Sequence, residues 1–330
     1  MPSNKNKLNN IPTSLVTGFL GVGKTSAILH LMSQKPANEK WSVLVNEFGS
    51  IGIDGAIYKA KGIEVKEIPG GCMCCAAGAP LQVAVNRILS ATKPQRLLIE
   101  PSGLGHPKRV LDTLQGQYFK QVLSLKATIC LIDPRNLDDE RYTTHENFID
   151  QIALADILVA NKSDLCDSNT MARFYDFAKA LHPAKQKIIE TQFGRLDAAL
   201  LDYQAGAKRN AQFPDFHQIN KTKTVKANRD GYQTHGWKFS QEAIFDFDKL
   251  LRFFDQFKQT RIKAILKTSK GWMVFNIQDK QQDIYAVDRI DSGMENKLEI
   301  ISRDEQQLNK QALDSQLKQC LSKTEDTSCE

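Results

Sequence analysis

Short apolar runs alternate with amphipathic stretches between Ile11 and Thr191. Such runs predict short buried strands, and apolar residues at helical spacing predict helices. The predicted strands are Ile11–Thr17, Trp41–Val45, Ile63–Ile68, Arg96–Glu100, Ala127–Asp133, Ile157–Ala160 and Ile188–Ile189. The predicted helices include Ser26–Met32, Pro80–Leu89 and Glu146–Ala155. Strands that alternate with helices indicate an α/β fold, a parallel sheet flanked by helices, whose ligands bind beyond the carboxyl ends of the strands.

The pattern changes after residue 202. Residues 203–232 are polar and basic without sustained periodicity, which predicts a linker. Further strands are predicted at His235–Phe239, Arg261–Lys267, Trp272–Ile277 and Leu298–Ile301, with helices at Phe245–Phe257 and Glu305–Leu321. We therefore expect a first domain at 11–202 and a smaller α+β domain at 233–321. The tails 1–10 and 322–330 are expected to be disordered.

Composition agrees with two soluble domains. The chain has 330 residues, of which 41% are hydrophobic and 25% charged. No apolar run is long enough for a membrane span, and the polar start lacks the core of a signal peptide, so we expect a cytoplasmic protein without a membrane partner. Much of the net charge of +6 lies in the linker region, which argues against a nucleic-acid groove.

The stretch Gly18–Thr25 fits the phosphate-binding pattern G-x-x-x-x-G-K-S/T, between a predicted strand and a predicted helix. Backbone N–H groups of such a loop point at phosphates. Lys24 would reach the terminal phosphates, and the Thr25 hydroxyl would hold Mg²⁺. The expected nucleotide contacts in this stretch are Gly18, Gly21, Gly23, Lys24, Thr25 and Ser26.

Two further strand ends carry residues suited to a nucleotide. Asn161-Lys162-Ser163-Asp164 follows a strand, and a carboxylate at Asp164 can accept two hydrogen bonds from guanine, which adenine cannot supply. Glu100 ends another strand, where an acid contacts Mg²⁺ or orients water. Gly103 would sense the γ-phosphate through its N–H. We expect Lys24, Thr25 and Glu100 to be catalytic, and Gly103, Asn161, Lys162 and Asp164 to bind GTP.

The loop after residue 68 contains Cys72, Cys74 and Cys75. A thiol cluster without a disulfide framework indicates metal or redox chemistry. Zinc prefers tetrahedral sulfur and nitrogen ligands with an occasional carboxylate, and Glu47 could complete the set. The redox alternative uses the C-x-x-C pair Cys72 and Cys75, but no thioredoxin-like helix accompanies it.

Together these motifs resemble the CobW-like family of phosphate-loop GTPases, cytosolic metallochaperones and metal-insertion factors. Further matching stretches are Asn46–Gly49, Glu100–Leu104 and Gln151–Asp156. The resemblance covers about Ile11 to Gly194, and is weaker towards the C-terminus.

This resemblance implies a GTPase with Mg²⁺ at Thr25 and Zn²⁺ or a similar ion at the C-x-C-C motif, delivered to a client metalloprotein that stays unidentified. The sequence does not decide whether the chain forms a homodimer. Many members carry a histidine-rich stretch near the domain junction, whereas this linker is rich in lysine. The alternatives are a GTP-binding metal or redox sensor without turnover, and a small-molecule kinase, which the N-K-x-D element argues against.

Overall fold

A computed structural model describes residues 9–45, 53–61, 63, 65–67, 79–103, 107–206, 228–229, 232–257, 260–278, 281–287, 295–302 and 310–322. Contacts divide the chain into two units: residues 1–48 with 63–222, and residues 49–62 with 223–330. No described helix is long and apolar enough to cross a membrane.

In the part of the first unit that the structure describes, eight strands form one sheet, in the order β3-β2-β4-β1-β6-β7-β8 with β5 paired to β1. All of its pairings are parallel. The strands are β1 Ile11–Thr17, β2 Trp41–Val45, β3 Val65–Glu67, β4 Arg96–Glu100, β5 Leu123–Leu125, β6 Ile129–Ile132, β7 Ile157–Ala160 and β8 Lys187–Glu190. The predicted parallel α/β sheet is thereby confirmed.

Helices flank this sheet because its central strands are apolar on both faces. Every residue of β2, β6 and β7 is buried. The helices of this unit are α1 Lys24–Ser33, α3 Ala79–Thr92, α4 Pro107–Gln115, α5 Glu140–Thr143, α6 Glu146–Leu154 and α7 Ser168–Ala180. One core cluster joins Val85 and Ile88 of α3, Val110 of α4, and Leu97 and Ile99 of β4. This packing fixes the carboxyl ends of β1 and β4, where the predicted site residues lie.

The described residues of the second unit form an antiparallel sheet of six strands, in the order β13-β12-β11-β14-β10-β9. Its strands are β9 Asn228–Arg229, β10 Tyr232–Phe239, β11 Thr260–Thr268, β12 Gly271–Gln278, β13 Gln281–Ala286 and β14 Asn296–Ser302. Its C-terminal helices are α8 Phe247–Asp255 and α9 Lys310–Gln319. The predicted C-terminal domain of sheet and helices is confirmed. The sequence pattern does not predict strand β13, because its first three residues, Gln281-Gln282-Asp283, are all polar and show no alternation with apolar residues.

The second unit also includes helix α2, Ile53–Ala60, from early in the sequence. It packs against β11 and β14, and its residues Ile57 and Tyr58 are buried. The sequence predicts a glycine-bearing loop up to Gly55, whereas the structure begins a helix at Ile53. The sequence predicts one contiguous domain at 11–202, whereas this helix, which lies inside that range, groups with the other sheet.

Candidate functional site

The phosphate-binding loop connects β1 to α1 through three glycines with positive φ. The angles are 140° at Gly18, 69° at Gly21 and 94° at Gly23. A Cβ atom at Gly18 would overlap the carbonyl oxygen of Leu131, and one at Gly23 would overlap the amide nitrogen of Asn161. Both the backbone angle and the lack of space therefore require glycine at these two positions.

Helix α1 starts at Lys24 and presents its N-terminus to this loop. Its first turn carries no acidic residue, so no carboxylate of the helix itself competes with a phosphate there. Lys24 is buried and its Nζ donates to the carbonyl oxygen of Phe19 at 3.0 Å, a bond that spans the loop. Ser26, the third predicted residue of this turn, is half-buried. The local geometry suits a group with several anionic oxygens.

Thr25 and Glu100 meet at the base of the loop, although β4 and α1 are far apart in sequence. The Thr25 hydroxyl donates to Glu100 Oε1 at 3.0 Å, and both side chains are buried. A hydroxyl beside a carboxylate is a pair of hard oxygen ligands, which Mg²⁺ prefers over nitrogen or sulfur. The donor set therefore fits the divalent cation that accompanies a nucleoside triphosphate.

Gly103 lies three residues beyond Glu100, against the phosphate-binding loop. A Cβ atom there would be 2.9 Å from the Leu20 nitrogen and 3.0 Å from Lys24 Nζ. No larger residue fits without moving the loop. Gly103 therefore lies beside the lysine that the sequence assigns to the terminal phosphates.

Asn161 connects the N-K-x-D element, Asn161–Asp164, to the phosphate-binding loop. Its Nδ2 donates to the Val22 carbonyl at 2.8 Å, and its Oδ1 accepts from the Gly194 N–H at 3.0 Å. Both polar ends of this buried amide are thus engaged by protein backbone. The structure therefore gives Asn161 the task of holding two loops together.

Lys162 and Asp164 follow on the same element. Lys162 has a positive φ of 63°, and its Nζ lies 3.6 Å from Asp133 Oδ2, with both side chains buried. Asp164 is exposed in the short 3₁₀ turn Ser163–Leu165. This carboxylate is therefore exposed beyond the end of a parallel strand, and base binding by Asp164 stays a prediction.

Sequence reasoning missed Gly194, which follows the last strand of this sheet. Its φ is +67°, and a Cβ atom there would lie 2.6 Å from the Ala27 nitrogen in α1. The local signal was the turn Gln192-Phe193-Gly194 directly beyond a predicted strand end. This turn belongs to the same site because its backbone binds Asn161.

The predicted metal ligands Glu47, Cys72, Cys74 and Cys75 lie outside the described residues. Within the ranges that the structure covers, no group of three or more His, Cys, Asp or Glu side chains could hold a metal ion. The first unit has two described cysteines, Cys130 and Cys166, and both have raised pKa values. Burial raises the pKa of the Cys130 thiol to about 12. Burial and the charge of Asp133 also raise the pKa of Cys166. Neither of these two thiols is therefore poised to act as a thiolate.

The family model described as "CobW/HypB/UreG, nucleotide-binding domain" matches residues 12–189. The chain belongs to this family. Its residues 234–321 match a second CobW-related model, the "Cobalamin synthesis protein cobW C-terminal domain". The predicted family resemblance is confirmed, and the two matched ranges fall on the parallel sheet and on the antiparallel sheet.

Several curated relatives of this CobW-family chain carry zinc in their names. It is 40% identical to the zinc chaperone YeiR of Escherichia coli over 313 residues, which cover 90% of this chain and 94% of the relative. It is 30% identical to the zinc chaperone CobW of Pseudomonas aeruginosa, over 59% of this chain and 60% of the relative. Among solved structures, Zn(II)-bound YjiA GTPase from E. coli is 16% identical over 94% of this chain and 99% of that chain, with a TM-score of 0.41.

Proposed function

We propose that this protein is a GTP-hydrolysing metallochaperone that binds Zn²⁺ or a similar ion at its C-x-C-C motif and transfers it to a client metalloprotein. The observation that carries the nucleotide part is the 3.0 Å contact between Thr25 Oγ1 and Glu100 Oε1 beneath a glycine loop. The metal part is supported by the three thiols of the motif and by the zinc chaperones among the relatives.

The nucleotide would bind with its phosphates on the loop that Gly18, Gly21 and Gly23 shape. Lys24 would leave the Phe19 carbonyl for the terminal phosphates, since a buried ammonium gains more from an anion than from a neutral carbonyl. Thr25 and Glu100 would hold Mg²⁺, which when bound neutralises phosphate charge as it develops.

The guanine base would bind at the N-K-x-D element, Asn161–Asp164. Asn161 keeps the phosphate-binding loop and the base-binding turn in register through its two backbone contacts. Asp164 would accept hydrogen bonds from the ring N–H and amino group of guanine. Because adenine would leave that carboxylate unmatched, discrimination of roughly 10⁴-fold is within reach of such a contact.

Zinc would be the cargo of this cycle. The thiolates of Cys72, Cys74 and Cys75, with Glu47 as an oxygen donor, form a ligand set that a borderline-soft ion prefers. In the sequence, Glu47 follows β2 and the cysteines follow β3. These two strands lie on one side of β4, the strand that ends at Glu100. GTP binding could therefore order the loaded conformation, and hydrolysis could release the ion.

The test is GTP turnover by the full-length protein, with and without Zn²⁺, together with zinc affinity in the presence of a non-hydrolysable GTP analogue. We expect turnover, and a zinc affinity that differs between the analogue and GDP. Binding of both ligands without turnover would favour the sensor alternative instead.

Two variants separate the halves of the proposal. Thr25→Val should abolish Mg²⁺-dependent turnover, whereas Thr13→Val is the matched control. Thr13 is also a buried threonine, on β1, and its hydroxyl donates to the Ile11 carbonyl at 3.0 Å, away from the loop. Cys74→Ser should weaken zinc binding and leave guanine-nucleotide affinity within about twofold; unchanged zinc affinity would remove that thiol from the ligand set.

A further inference from the structure

The stretch Gln151–Asp156 covers the end of helix α6, Glu146–Leu154, and the two residues that lead from it to β7, and the nucleotide mechanism above assigns it no role. Gln151 is fully buried, and its Nε2 donates to the Gly103 carbonyl oxygen at 2.9 Å. This hydrogen bond holds the backbone at Gly103, which has no side chain of its own that could anchor it. The motif therefore has a direct physical connection to the loop beyond Glu100.

The same helix also contacts the phosphate-binding loop. Phe19 is buried and makes edge contacts with Phe148, at a ring-centroid distance of 6.1 Å, and with His145, at 4.7 Å. His145 is the N-cap of α6, where its ring accepts from the Asn147 N–H. Since Phe19 also supplies the carbonyl that Lys24 binds, α6 holds both segments that face the terminal phosphates.

Gly103 needs such support for a conformational reason. Glycine has more backbone freedom than any other residue, so an unanchored glycine must be ordered when a ligand reaches its N–H. A hydrogen bond to its carbonyl restricts ψ before the ligand arrives, and preorganisation of this kind raises affinity. Only a ligand that reaches Gly103 benefits from this restriction.

We propose that Gln151 is a positioning residue that fixes Gly103 against the phosphate-binding loop and thereby sets the preference for a nucleoside triphosphate over a diphosphate. This inference rests on the proposed function, since it concerns the same nucleotide site. It assigns Gln151 no contact with the nucleotide. Its effect passes through Gly103 to the γ-phosphate.

A purely structural role makes a different prediction, and the motif contains the control. Asp156 is buried, and its carboxylate accepts from the Thr128 N–H at 2.9 Å and from the Gly206 N–H at 3.1 Å. Those contacts join the start of β7 to the segments around it, and neither partner belongs to the phosphate-binding loop. Loss of Asp156 should therefore reduce stability without changing how the site distinguishes GTP from GDP.

The experiment compares full-length wild type, Gln151→Met and Asp156→Asn. Methionine keeps the length of glutamine and removes the donor. We expect the affinity of Gln151→Met for a non-hydrolysable GTP analogue to fall about tenfold, because the Gly103 carbonyl stays buried without that donor, while GDP affinity changes by less than about twofold. For GTP hydrolysis, kcat/KM should fall by a similar factor. Asp156→Asn should lower the thermal midpoint and leave the ratio of the two affinities unchanged.

The outcomes separate the hypotheses. An unchanged ratio in Gln151→Met, or an equal change in both variants, would overturn the positioning role. If wild type binds neither nucleotide, the proposed function itself fails. Should the methionine variant not fold, Gln151→Asn retains the amide but withdraws it by one methylene, and the same shift in ratio is expected.

Discussion

Replacement of Asn161 by alanine tests whether this residue holds the site together or reads the base. Its amide bonds the Val22 carbonyl at 2.8 Å and the Gly194 N–H at 3.0 Å. Asn161→Ala leaves both backbone groups buried without that partner, at about 1–3 kcal/mol each, and partial relaxation should reduce the total to about 3 kcal/mol. For a unit of this size that corresponds to a fall of about 8 °C in the thermal midpoint.

The assay is urea unfolding followed by binding of GTP, GDP and ATP. We expect the urea midpoint to fall by roughly 1 M, since unfolding free energy changes by a few kcal/mol per molar urea. All three nucleotides should lose affinity by similar factors, because the phosphate-binding loop loses its brace. A selective loss of guanine nucleotides would instead mean that Asn161 reads the base.

Asn86→Ala is the matched control for this substitution. Asn86 also donates its amide to one partner, the hydroxyl of Tyr118 at 3.1 Å, but on the surface, where Tyr118 is 64% exposed. Its loss should cost less than about 0.5 kcal/mol, since water replaces the contact. If Asn161→Ala unfolds at the same urea concentration as Asn86→Ala, the reasoning from buried contacts is refuted.

Three further predictions follow from the geometry. Asp164→Asn should shift the nucleotide preference from GTP towards XTP in competition binding, because xanthine has a carbonyl where guanine has its amino group. Unchanged selectivity would mean that Asp164 does not contact the base. Gly194→Ala should lower the free energy of unfolding in urea by more than about 2 kcal/mol, because a Cβ atom there would lie 2.6 Å from a backbone nitrogen. Gly271→Ala is its control and should lower it by about 1 kcal/mol, because Gly271 also has a positive φ but has open space around its Cβ position. Cys130, buried with a pKa of about 12, should resist alkylation of the native protein at pH 8 and react after unfolding, as mass spectrometry would show.

The sequence predicts most of the first unit because local signals and tertiary packing agree there. The strand before the glycine loop was predicted at Ile11–Thr17 and is found with those bounds. A buried strand in a parallel sheet must be apolar on both faces, so its pattern is strong. The contact between Thr25 and Glu100 was foreseeable for the same reason, since the carboxyl ends of neighbouring parallel strands meet at one edge.

What sequence reasoning missed depends on contacts between distant segments. Helix α2 begins at Ile53 with a glycine in its first turn, a weak local signal, and its burial comes from strands of the second unit. The bond from Gln151 to Gly103 joins an amphipathic helix to a loop, and no spacing rule indicates which buried polar residue reaches which backbone group. Such contacts follow from three-dimensional packing.

The inclusion of α2 in the second unit means that this unit does not correspond to one interval of the sequence. Its sheet is built from residues beyond 223, yet helix α2, which packs on β11 and β14, is synthesised before most of the first unit. On the ribosome the apolar face of this helix must wait for strands that emerge much later. Contacts of such long sequence separation slow folding and expose apolar surface in the interval. A fragment that starts at residue 223 lacks one of its own helices.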